Sequence, residues 1–456
     1  SFGKNVKEKI TEARKNVADL INANPNEIIF TSCASESNVT AIMNAIKNNP
    51  DKKHIITTKL EHASVLETMK YLEKIGYQIT YLTIDEQGRI NIDELKDAIN
   101  ENTCLINIMM ANNEIGNIYP IKEIGKIAKE NNILFHCDAV QAVGKIKIDV
   151  KEMNVDTLSL SGHKIHAPKG IGVLYVRECI PYIPLIFGHQ EGNKRGGTEN
   201  VPYIIGLGKA AKLIIDDNNK VNERLEYLRD KLEKQIKDNI NDVIIYGDIE
   251  NRLPNTSNIA FKGVNANELL LLLESFNIYI STGSACNSEL AEPSHVLVAC
   301  NADLDNYSPI RISLSKENTK EEIDTHYDFG PHYTITVNDV DVTFEGIYRW
   351  LDTIAPRINM QAIARPYVVY DKTENPEYIS GALVVAQSHI AFHYSIEERT
   401  ANIDVFSCSF LESGSVESII HQTFGYDTQI NLCARGSKHH LECQHHSREA
   451  RIEKNS

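Results

Sequence analysis

The stretch "DTLSLSGHKIHAPKGIGVLYVR", residues 156–177, sets the pattern that the first two thirds of the chain follow. Apolar residues alternate with polar ones up to Leu160, a turn forms around Pro168, and a second apolar run leads to Val176. This pattern predicts two strands joined by a polar turn. Lys164 lies in that turn, where a lysine is normally a solvated charge. A chemical role for it therefore depends on what the rest of the chain brings to the same place.

Residues 1–324 alternate helical and strand-like segments. Apolar residues recur at helical spacing in "KNVKEKITEARKNVADLINA", whereas short β-rich runs recur further along the chain. Several of these runs are apolar throughout, as parallel strands covered on both faces usually are. The rhythm predicts an α/β fold with a mostly parallel sheet. The strand-like runs are "NEIIFTS", "HIITTKL", "TCLINIMMA", "NILFHCDAV", "TLSLS" and "GVLYV".

Polar residues follow these runs at the positions where ligands of open α/β sheets bind, outside the carboxyl ends of the strands. They are Ser32, Ser35 and Glu36, then Glu61 and His62, then Asn112, Asn113 and Glu114, then Asp138 and Gln141, and finally Ser161, His163 and Lys164. Taken singly, each fits an ordinary cap or loop role. Together they supply an amine for a Schiff base, an acid for a ring nitrogen, and hydroxyls for a phosphate. This set predicts a pyridoxal phosphate site.

Composition and charge exclude other classes of function. The formal net charge is −15 and no dense basic run precedes residue 437, so nucleic acid is not an expected partner. No apolar stretch approaches the roughly 20 residues that span a bilayer, and no signal-peptide core opens the chain, so we expect no membrane association and a cytoplasmic location. Nine cysteines without a CxxC pair suit a reducing compartment and leave one free to act as a nucleophile.

Eight segments between residues 30 and 324 resemble the successive signatures of the cysteine desulfurases, in the family's order. They are "FTSCASESN", "EHASVLE", "NNEIG", "HCDAVQAVGKIKID", "LSLSGHKIHAPKGIGVLYVR", "GHQEGNKRGGTENVP", "STGSACNSELAEPSHVL" and "PIRISLSKENTKEEID". The resemblance implies a pyridoxal phosphate fold of type I. Its large domain, residues 1–205, would be N-terminally truncated, and residues 206–324 would form a small α+β domain with the catalytic cysteine loop. It also implies a homodimer that converts L-cysteine to L-alanine and an enzyme persulfide, donating sulfur to an acceptor protein for Fe–S cluster or thio-cofactor assembly.

The same resemblance assigns roles to individual residues. Lys164 would form the Schiff base, His62 would stack on the cofactor ring, Asp138 would bind the pyridinium nitrogen, and Gln141 the phenolic oxygen. The phosphate would be held by Ser35, Ser161 and His163, with Thr198 reaching in from a second subunit. Asn113 would orient the substrate and Arg311 would bind its carboxylate. Cys286 would receive the sulfur, whereas Cys33, Cys104, Cys137 and Cys300 are interpreted as packing residues.

Residues 325–436 change in character and predict a second, two-layer α+β domain. "HYTITVNDV", "YVVYD", "GALVVAQSHIAFHYS" and "NIDVFSCSFL" are strand-like, "SVESIIHQTF" is helical, and "FEGIYRWLDTIAP" predicts an amphipathic helix ended by Pro356. The stretch "QSHIAFHYSIEERTANIDVFSC" resembles the core of bacterial-type S-adenosylmethionine decarboxylases, which cleave their own backbone before a serine. By that resemblance Ser388 is the precursor of a pyruvoyl cofactor, His393 and Ser380 assist its processing, and Cys408 is the proton donor. Gln387 stands where this family usually has Glu.

The sequence thus predicts a cysteine desulfurase-like enzyme fused to an S-adenosylmethionine decarboxylase-like domain that would serve polyamine synthesis. Three alternatives stay open: another enzyme of the same fold, such as an aminotransferase or a selenocysteine lyase; a chain in which only the decarboxylase-like part works; and a non-enzymatic interaction protein. Residues 437–456 form a polar tail with His439, His440, Cys443, His445 and His446. We interpret this tail as disordered and predict no metal site.

Overall fold

The computed structural model describes residues 2–217, 219–275, 277–282, 293–324, 332–338, 340–357, 362, 365–371, 377–385, 388–407 and 413–424. Cys286, Gln387, Cys408 and the tail lie outside these residues. Two compact units are present. One comprises Ser1–Leu271 and Tyr279–Thr319, and the other comprises Leu272–Ile278 and Lys320–Ser456.

The elements up to residue 324 alternate as the sequence predicts. The helices are α1 (Phe2–Leu20), α2 (Ala34–Asn48), α3 (Ala63–Lys74), α4 (Ile92–Ala98), α5 (Ile121–Glu130), α6 (Gln190–Asn193), α7 (Val201–Asp217), α8 (Lys220–Asn239), α9 (Ala266–Ser275), α10 (His295–Ala299) and α11 (Lys320–Asp324). The strands are β1 (Ile28–Thr31), β2 (His54–Thr58), β3 (Gln78–Leu82), β4 (Thr103–Asn107), β5 (Leu134–Asp138), β6 (Thr157–Ser161), β7 (Gly172–Val176), β8 (Val243–Tyr246), β9 (Thr256–Lys262) and β10 (Tyr307–Ser313).

A seven-stranded sheet forms the centre of the first unit, in the order β1-β7-β6-β5-β4-β2-β3. Strands β2 to β6 are parallel, which confirms the mostly parallel sheet. Strand β7 is antiparallel to both β1 and β6, although it is as apolar as the parallel strands. The reason is the connection: a parallel return needs a crossover of a dozen or more residues, and only the polar turn separates β6 from β7.

Gly172, the first residue of β7, allows the start of α2 to lie against this strand. A Cβ at Gly172 would come within 2.6 Å of the Cys33 carbonyl carbon and 2.8 Å of its Cα. No side chain fits at that distance, so only glycine permits the approach. The first turn of α2 and the turn that carries Lys164 therefore adjoin the same end of the sheet.

A three-stranded antiparallel sheet, ordered β10-β9-β8, packs with α8 in the same unit. Two backbone hydrogen bonds, from Leu253 N to Gly116 O and from Ile118 N to Asn251 O, join the segment after β8 to the "NNEIG" turn. A buried ion pair lies beside this junction. Both guanidinium nitrogens Nη1 and Nη2 of Arg252 donate to the Glu233 carboxylate at 2.6 Å. Ser257 donates to the same carboxylate, so α8, β9 and the segment between them are tied together.

The second unit contains a five-stranded antiparallel sheet in the order β11-β15-β14-β13-β12. Its elements are β11 (His332–Val337), α12 (Phe344–Arg357), β12 (Tyr367–Asp371), β13 (Tyr378–Val385), β14 (Ser388–Ser395), β15 (Thr400–Ser407) and α13 (Ser413–Phe424). Trp350 of α12 packs edge-on against Phe392 of β14, with ring centroids 5.5 Å apart. Helix and sheet thus share one apolar core, as a two-layer α+β unit requires.

Two details of this unit differ from the sequence prediction. Pro356 does not end α12 but lies at its penultimate position, where the residue that follows completes the last turn. The run "GALVVAQSHIAFHYS" contains two strands, β13 and β14, which pair antiparallel. No Gly, Pro, Asn or Asp marks residues 386 and 387, so the pattern lacks the usual turn signal. Among the helices described, none is long and apolar enough to cross a membrane.

Candidate active site

Lys164 lies in a 3-10 turn, Gly162–Ile165, between β6 and β7. Its side chain is exposed at the carboxyl end of β6, and the neighbouring hydroxyl of Ser161 lies 2.9 Å from His163 Nδ1. Burial and the cations of Lys164 and Lys169 lower the pKa of His163. The imidazole is therefore neutral at pH 7 and hydrogen bonds without adding charge beside the lysine.

Asp138 is the last residue of β5, and only 4% of its surface is exposed. Its Oδ2 accepts from Asn38 Nδ2 at 2.7 Å, and its Oδ1 accepts from Val140 N at 3.0 Å. Burial raises the pKa of Asp138, while these hydrogen bonds and the nearby side chains of His62 and Lys164 oppose the rise. A buried carboxylate that accepts two hydrogen bonds is suited to a protonated ring nitrogen, so this donor set fits pyridoxal phosphate.

His62 is the N-cap residue of α3, and its ring is oriented by Ser64. Ser64 N donates to His62 Nδ1 at 3.1 Å, which leaves the ring proton on Nε2. Ser64 Oγ in turn accepts from Asn38 Nδ2 at 3.0 Å. Because the same Asn38 nitrogen donates to Asp138, one amide fixes both of the groups that the resemblance places at the cofactor ring.

Three residues that support the site were not predicted from the sequence: Asn38, Ser64 and His136. His136 Nε2 lies 3.1 Å from Asn38 Oδ1 and its Nδ1 lies 2.8 Å from Thr157 Oγ1. Burial lowers the pKa of His136 to about 3, so its ring is neutral and donates from Nε2 to the amide oxygen. The available signal was a polar asparagine on the apolar face of "SNVTAIMNAI", at a position where α2 is buried.

The first turn of α2 provides the place for an anion. Ser35 lies exposed in this turn, where backbone N–H groups lack helical partners and favour negative charge. The Glu36 carboxylate beside it is bound by Arg195, with Nε at 2.9 Å and Nη2 at 3.2 Å. Although burial acts in the opposite direction, the hydrogen bonds from Arg195 and Ser32 lower the pKa of Glu36. Thr198 is exposed three residues beyond that arginine.

Arg311 of β10 reaches the turn that follows β4. Its Nη1 donates to the backbone oxygen of Asn113 at 3.0 Å, so the two residues that the resemblance assigns to the substrate are in direct contact. Ser281 pairs with Arg311 through both backbone groups, at 2.6 and 3.1 Å. Ser281, on the N-terminal side of the Cys286 segment, is thereby held beside the site.

The described residues on the C-terminal side of this segment are held there too. Ser294 donates to the Glu114 carboxylate, and His295 Nε2 lies 3.1 Å from the Glu61 carbonyl oxygen. Glu61 is itself fully buried and accepts from Met109 N at 2.8 Å. Burial, together with the neighbouring Asp138, raises the pKa of Glu61 well above its ordinary value. Both flanks of the Cys286 segment therefore lie next to residues that adjoin His62 and Asn113.

Three other cysteines of the first unit, Cys104, Cys137 and Cys300, are buried. Burial raises the pKa of Cys104 to about 11 and that of Cys300 to about 12, and it also raises the pKa of Cys137. These thiols do not ionise at neutral pH, as is typical of packing cysteines. Cys33 is half-buried at the N-cap position of α2.

In the second unit, Ser380 of β13 and His393 of β14 lie directly opposite each other. The serine hydroxyl is 2.9 Å from His393 Nδ1. Ser388 opens β14, where its backbone is paired with Val385 on one side and Ser407 on the other. Cys408 is the next residue of the chain after β15 and lies outside the described residues. The arrangement thus brings a hydroxyl–imidazole pair and the start of β14 into one hairpin.

Residues 1–325 match the family model of the class-V aminotransferases, and residues 339–436 match that of the S-adenosylmethionine decarboxylases. A cysteine desulfurase of a Nostoc species is 47% identical over 326 residues, which cover 71% of this chain and 82% of that protein. The cysteine desulfurase IscS of Methanosarcina thermophila is 49% identical over 327 residues, covering 71% and 80%.

Solved structures give the same result. A NifS-like protein matches with a TM-score of 0.66 and 38% identity over 71% of this chain and 87% of that one. SspA in complex with cysteine matches with a TM-score of 0.60 and 39% identity over 70% and 89%. The chain therefore belongs to the class-V aminotransferase family, and it joins a pyridoxal-phosphate-dependent enzyme of the cysteine desulfurase type to a region that matches the S-adenosylmethionine decarboxylases.

Proposed function

We propose that the chain converts L-cysteine to L-alanine and retains the sulfur as a persulfide on Cys286. The observation that carries this proposal is the network around the Asn38 amide. This amide binds both Asp138 and Ser64, and Ser64 orients the His62 ring. Such a network holds an acid and an imidazole in fixed positions, as a preorganised site requires. SspA, one of the structures that the chain resembles, binds cysteine.

Pyridoxal phosphate, when bound, supplies the electron sink that weakens bonds at the substrate's α-carbon. In this chain Lys164 would carry the cofactor, Asp138 would keep its ring nitrogen protonated, and Gln141 would donate to its phenolic oxygen. The phosphate would lie at the first turn of α2, bound by Ser35, Ser161, His163 and the Thr198 of a second copy. A homodimer follows from that last assignment.

The remaining residues bind the substrate and move its sulfur. Arg311 would bind the substrate carboxylate beside Asn113, and His62, with its proton on Nε2, would cover the cofactor ring. The Cys286 thiolate would attack the substrate sulfur. The electrons of the broken carbon–sulfur bond pass to the carbon, which takes up a proton to give alanine, and the sulfur stays on Cys286.

The persulfide would then pass to a thiol of an acceptor protein for Fe–S cluster or thio-cofactor assembly, in the cytoplasm. We assign this chemistry to residues 1–205, the cofactor-binding large domain, and residues 206–324, the small domain. Residues 325–436 would form the third domain, and residues 437–456 the tail.

The test is incubation of the purified chain with L-cysteine. We expect stoichiometric alanine, a protein heavier by one sulfur atom, and an absorption band near the visible edge that Lys164→Ala removes. Cys286→Ala is expected to keep the band and lose the persulfide. Continued sulfide release from that variant would overturn the persulfide mechanism in favour of another reaction of the fold. If the unmodified chain shows no such band, two interpretations remain: a non-enzymatic interaction protein, or a chain in which only the decarboxylase-like part works.

A second function is favoured by the match of residues 339–436 to the S-adenosylmethionine decarboxylases, and the Ser380 hydroxyl, 2.9 Å from His393 Nδ1, offers an acid–base pair in the same hairpin as Ser388. We propose that residues 325–436 cleave the backbone between Gln387 and Ser388. The Ser388 hydroxyl would take over the Gln387 acyl group from the Ser388 nitrogen, and elimination would then release the Gln387 carboxylate. Water would convert the remaining dehydroalanine to a pyruvoyl group with loss of ammonia. The substrate would be S-adenosylmethionine, and Cys408 would return the proton after carbon dioxide leaves.

Intact-mass spectrometry tests this processing. The expected result is two fragments, one ending at Gln387 and the other beginning with the pyruvoyl group, and Ser388→Ala is expected to give only the full-length mass. His393→Gln is expected to slow the appearance of the fragments. A full-length mass for the unmodified chain after prolonged incubation would show that this domain does not process itself.

A further inference from the structure

Lys145 is a second lysine that contacts a residue of the site. Its Nζ donates to Gln141 Oε1 at 2.9 Å. Gly144, with φ of +74°, lets the chain turn between these two residues, and a Cβ there would come within 2.9 Å of Ile214 and 3.2 Å of Ile165. The backbone before Lys145 is therefore pressed against the turn that carries Lys164, so the position of the lysine is fixed by packing.

The bond between Lys145 and Gln141 determines which way the Gln141 amide faces. An ammonium group has three donors and no acceptor, so only the amide oxygen can bind it. The amide nitrogen then lies on the other side and is left to donate. Among the described residues, Gln141 Nε2 has no hydrogen-bond partner, so that donor is available to a ligand.

Charge around Lys145 favours an anion in the same place. The half-buried ammonium faces Lys164 from the 3-10 turn and Arg311 from β10. Burial, with these two cations nearby, lowers the pKa of Lys145 to about 7. Lys145 therefore loses its proton as the pH rises through neutrality, unless an anion beside it restores the charge. A phenolate oxygen or a carboxylate would do so.

We propose that Lys145 is a positioning residue that acts through Gln141. By binding the amide oxygen, it turns the amide nitrogen toward the cofactor's phenolic oxygen and keeps that oxygen deprotonated. This inference rests on the proposed function, since it requires the cofactor at Gln141. Without Lys145 the amide is free to rotate, and its oxygen can then face the phenolate and repel it.

The test is a pH titration of the absorption band of the cofactor-loaded protein. In Lys145→Met we expect the midpoint to rise by about one pH unit, because a nearby positive charge and an oriented donor are both lost. Lys145→Gln is expected to give a similar rise, since an amide does not fix the orientation of Gln141. Lys145→Arg keeps a donor without an acceptor and should restore most of the original midpoint. Lys147→Met, an exposed lysine of the same segment, is the matched control and should leave the midpoint unchanged.

A double-mutant cycle separates positioning from a structural role. If Lys145 acts through Gln141, Lys145→Met should add little to the shift already present in Gln141→Ala. Additive shifts, or an unchanged midpoint in both Lys145→Met and Lys145→Gln, would overturn this inference alone. Absence of any band from the unmodified chain would overturn the proposed function and this inference together.

Discussion

Replacement of Asp138 by Asn is expected to reduce alanine formation from cysteine by about a hundred- to a thousandfold. Both carboxylate oxygens accept hydrogen bonds, one from Asn38 Nδ2 and one from Val140 N. An amide has one acceptor, so its NH2 group would be set against one of these donors at a cost of about 1–3 kcal/mol. The negative charge that would hold a proton on the cofactor's ring nitrogen disappears as well.

Alanine formation in a single turnover, measured beside the cofactor content of each preparation, checks this prediction. Asp51→Asn, an exposed aspartate in the turn after α2, serves as the matched control and should behave like the unmodified chain. If the Asp138→Asn variant loses activity while it still binds a full complement of cofactor, Asp138 acts in the chemistry. An Asp138→Asn variant as active as the control would exclude the role given to this carboxylate.

Replacement of Arg252 by Met is expected to lower the free energy of opening around α8 and β9 by about 3–5 kcal/mol. Arg252 and Glu233 are paired through two bonds of 2.6 Å, and their side chains are only 5% and 8% exposed. Removal of the guanidinium leaves the Glu233 carboxylate buried without its counter-charge. Hydrogen exchange of the β9 amides, followed by mass spectrometry, measures the effect.

A neighbouring ion pair provides the control. Lys234 and Asp238 lie on α8 with side chains 74% and 56% exposed, so Lys234→Met is expected to cost at most about 1 kcal/mol. The double variant Arg252→Met with Glu233→Met should recover much of the lost stability, because no charge is then buried alone. Equal protection of β9 in Arg252→Met and in Lys234→Met would contradict the stabilising role of the buried pair.

The strands of the fold could be located from the sequence wherever they are buried on both faces. Strands β2, β4 and β7 are buried at every residue and coincide with largely apolar runs, whereas β6 is equally buried but alternates Leu with Thr and Ser. Strand β3 has a half-exposed face and lies at the edge of the sheet, so its run "QITYL" lacks that signal. The apolar pattern also could not predict that β7 is antiparallel, because the direction of a strand depends on the length of the connection that leads to it.

The candidate site shows a similar limit. Residues that follow a strand, such as Asp138 and Lys164, could be found because the edge of a parallel sheet collects ligands. Asn38 shows in the sequence only as a polar residue on the apolar face of a helix, and its role depends on partners such as Asp138, which is 100 residues away in the chain. Lys145 could not be identified for the same reason. Its proposed role depends on the orientation of the Gln141 amide, and no sequence spacing predicts that orientation.

The pairing of β1 with β7 has a consequence for the synthesis of the chain. Residues 28–31 must wait for residues 172–175 before their backbone groups find partners in the sheet. A ribosome adds about 5–20 residues per second, so the intervening segment of roughly 140 residues takes about 7–28 s to make. Throughout that interval the nascent β1 presents the apolar "IIF" run with an unsatisfied edge. Until β7 emerges, this segment is a place where chaperones that bind short apolar segments can act.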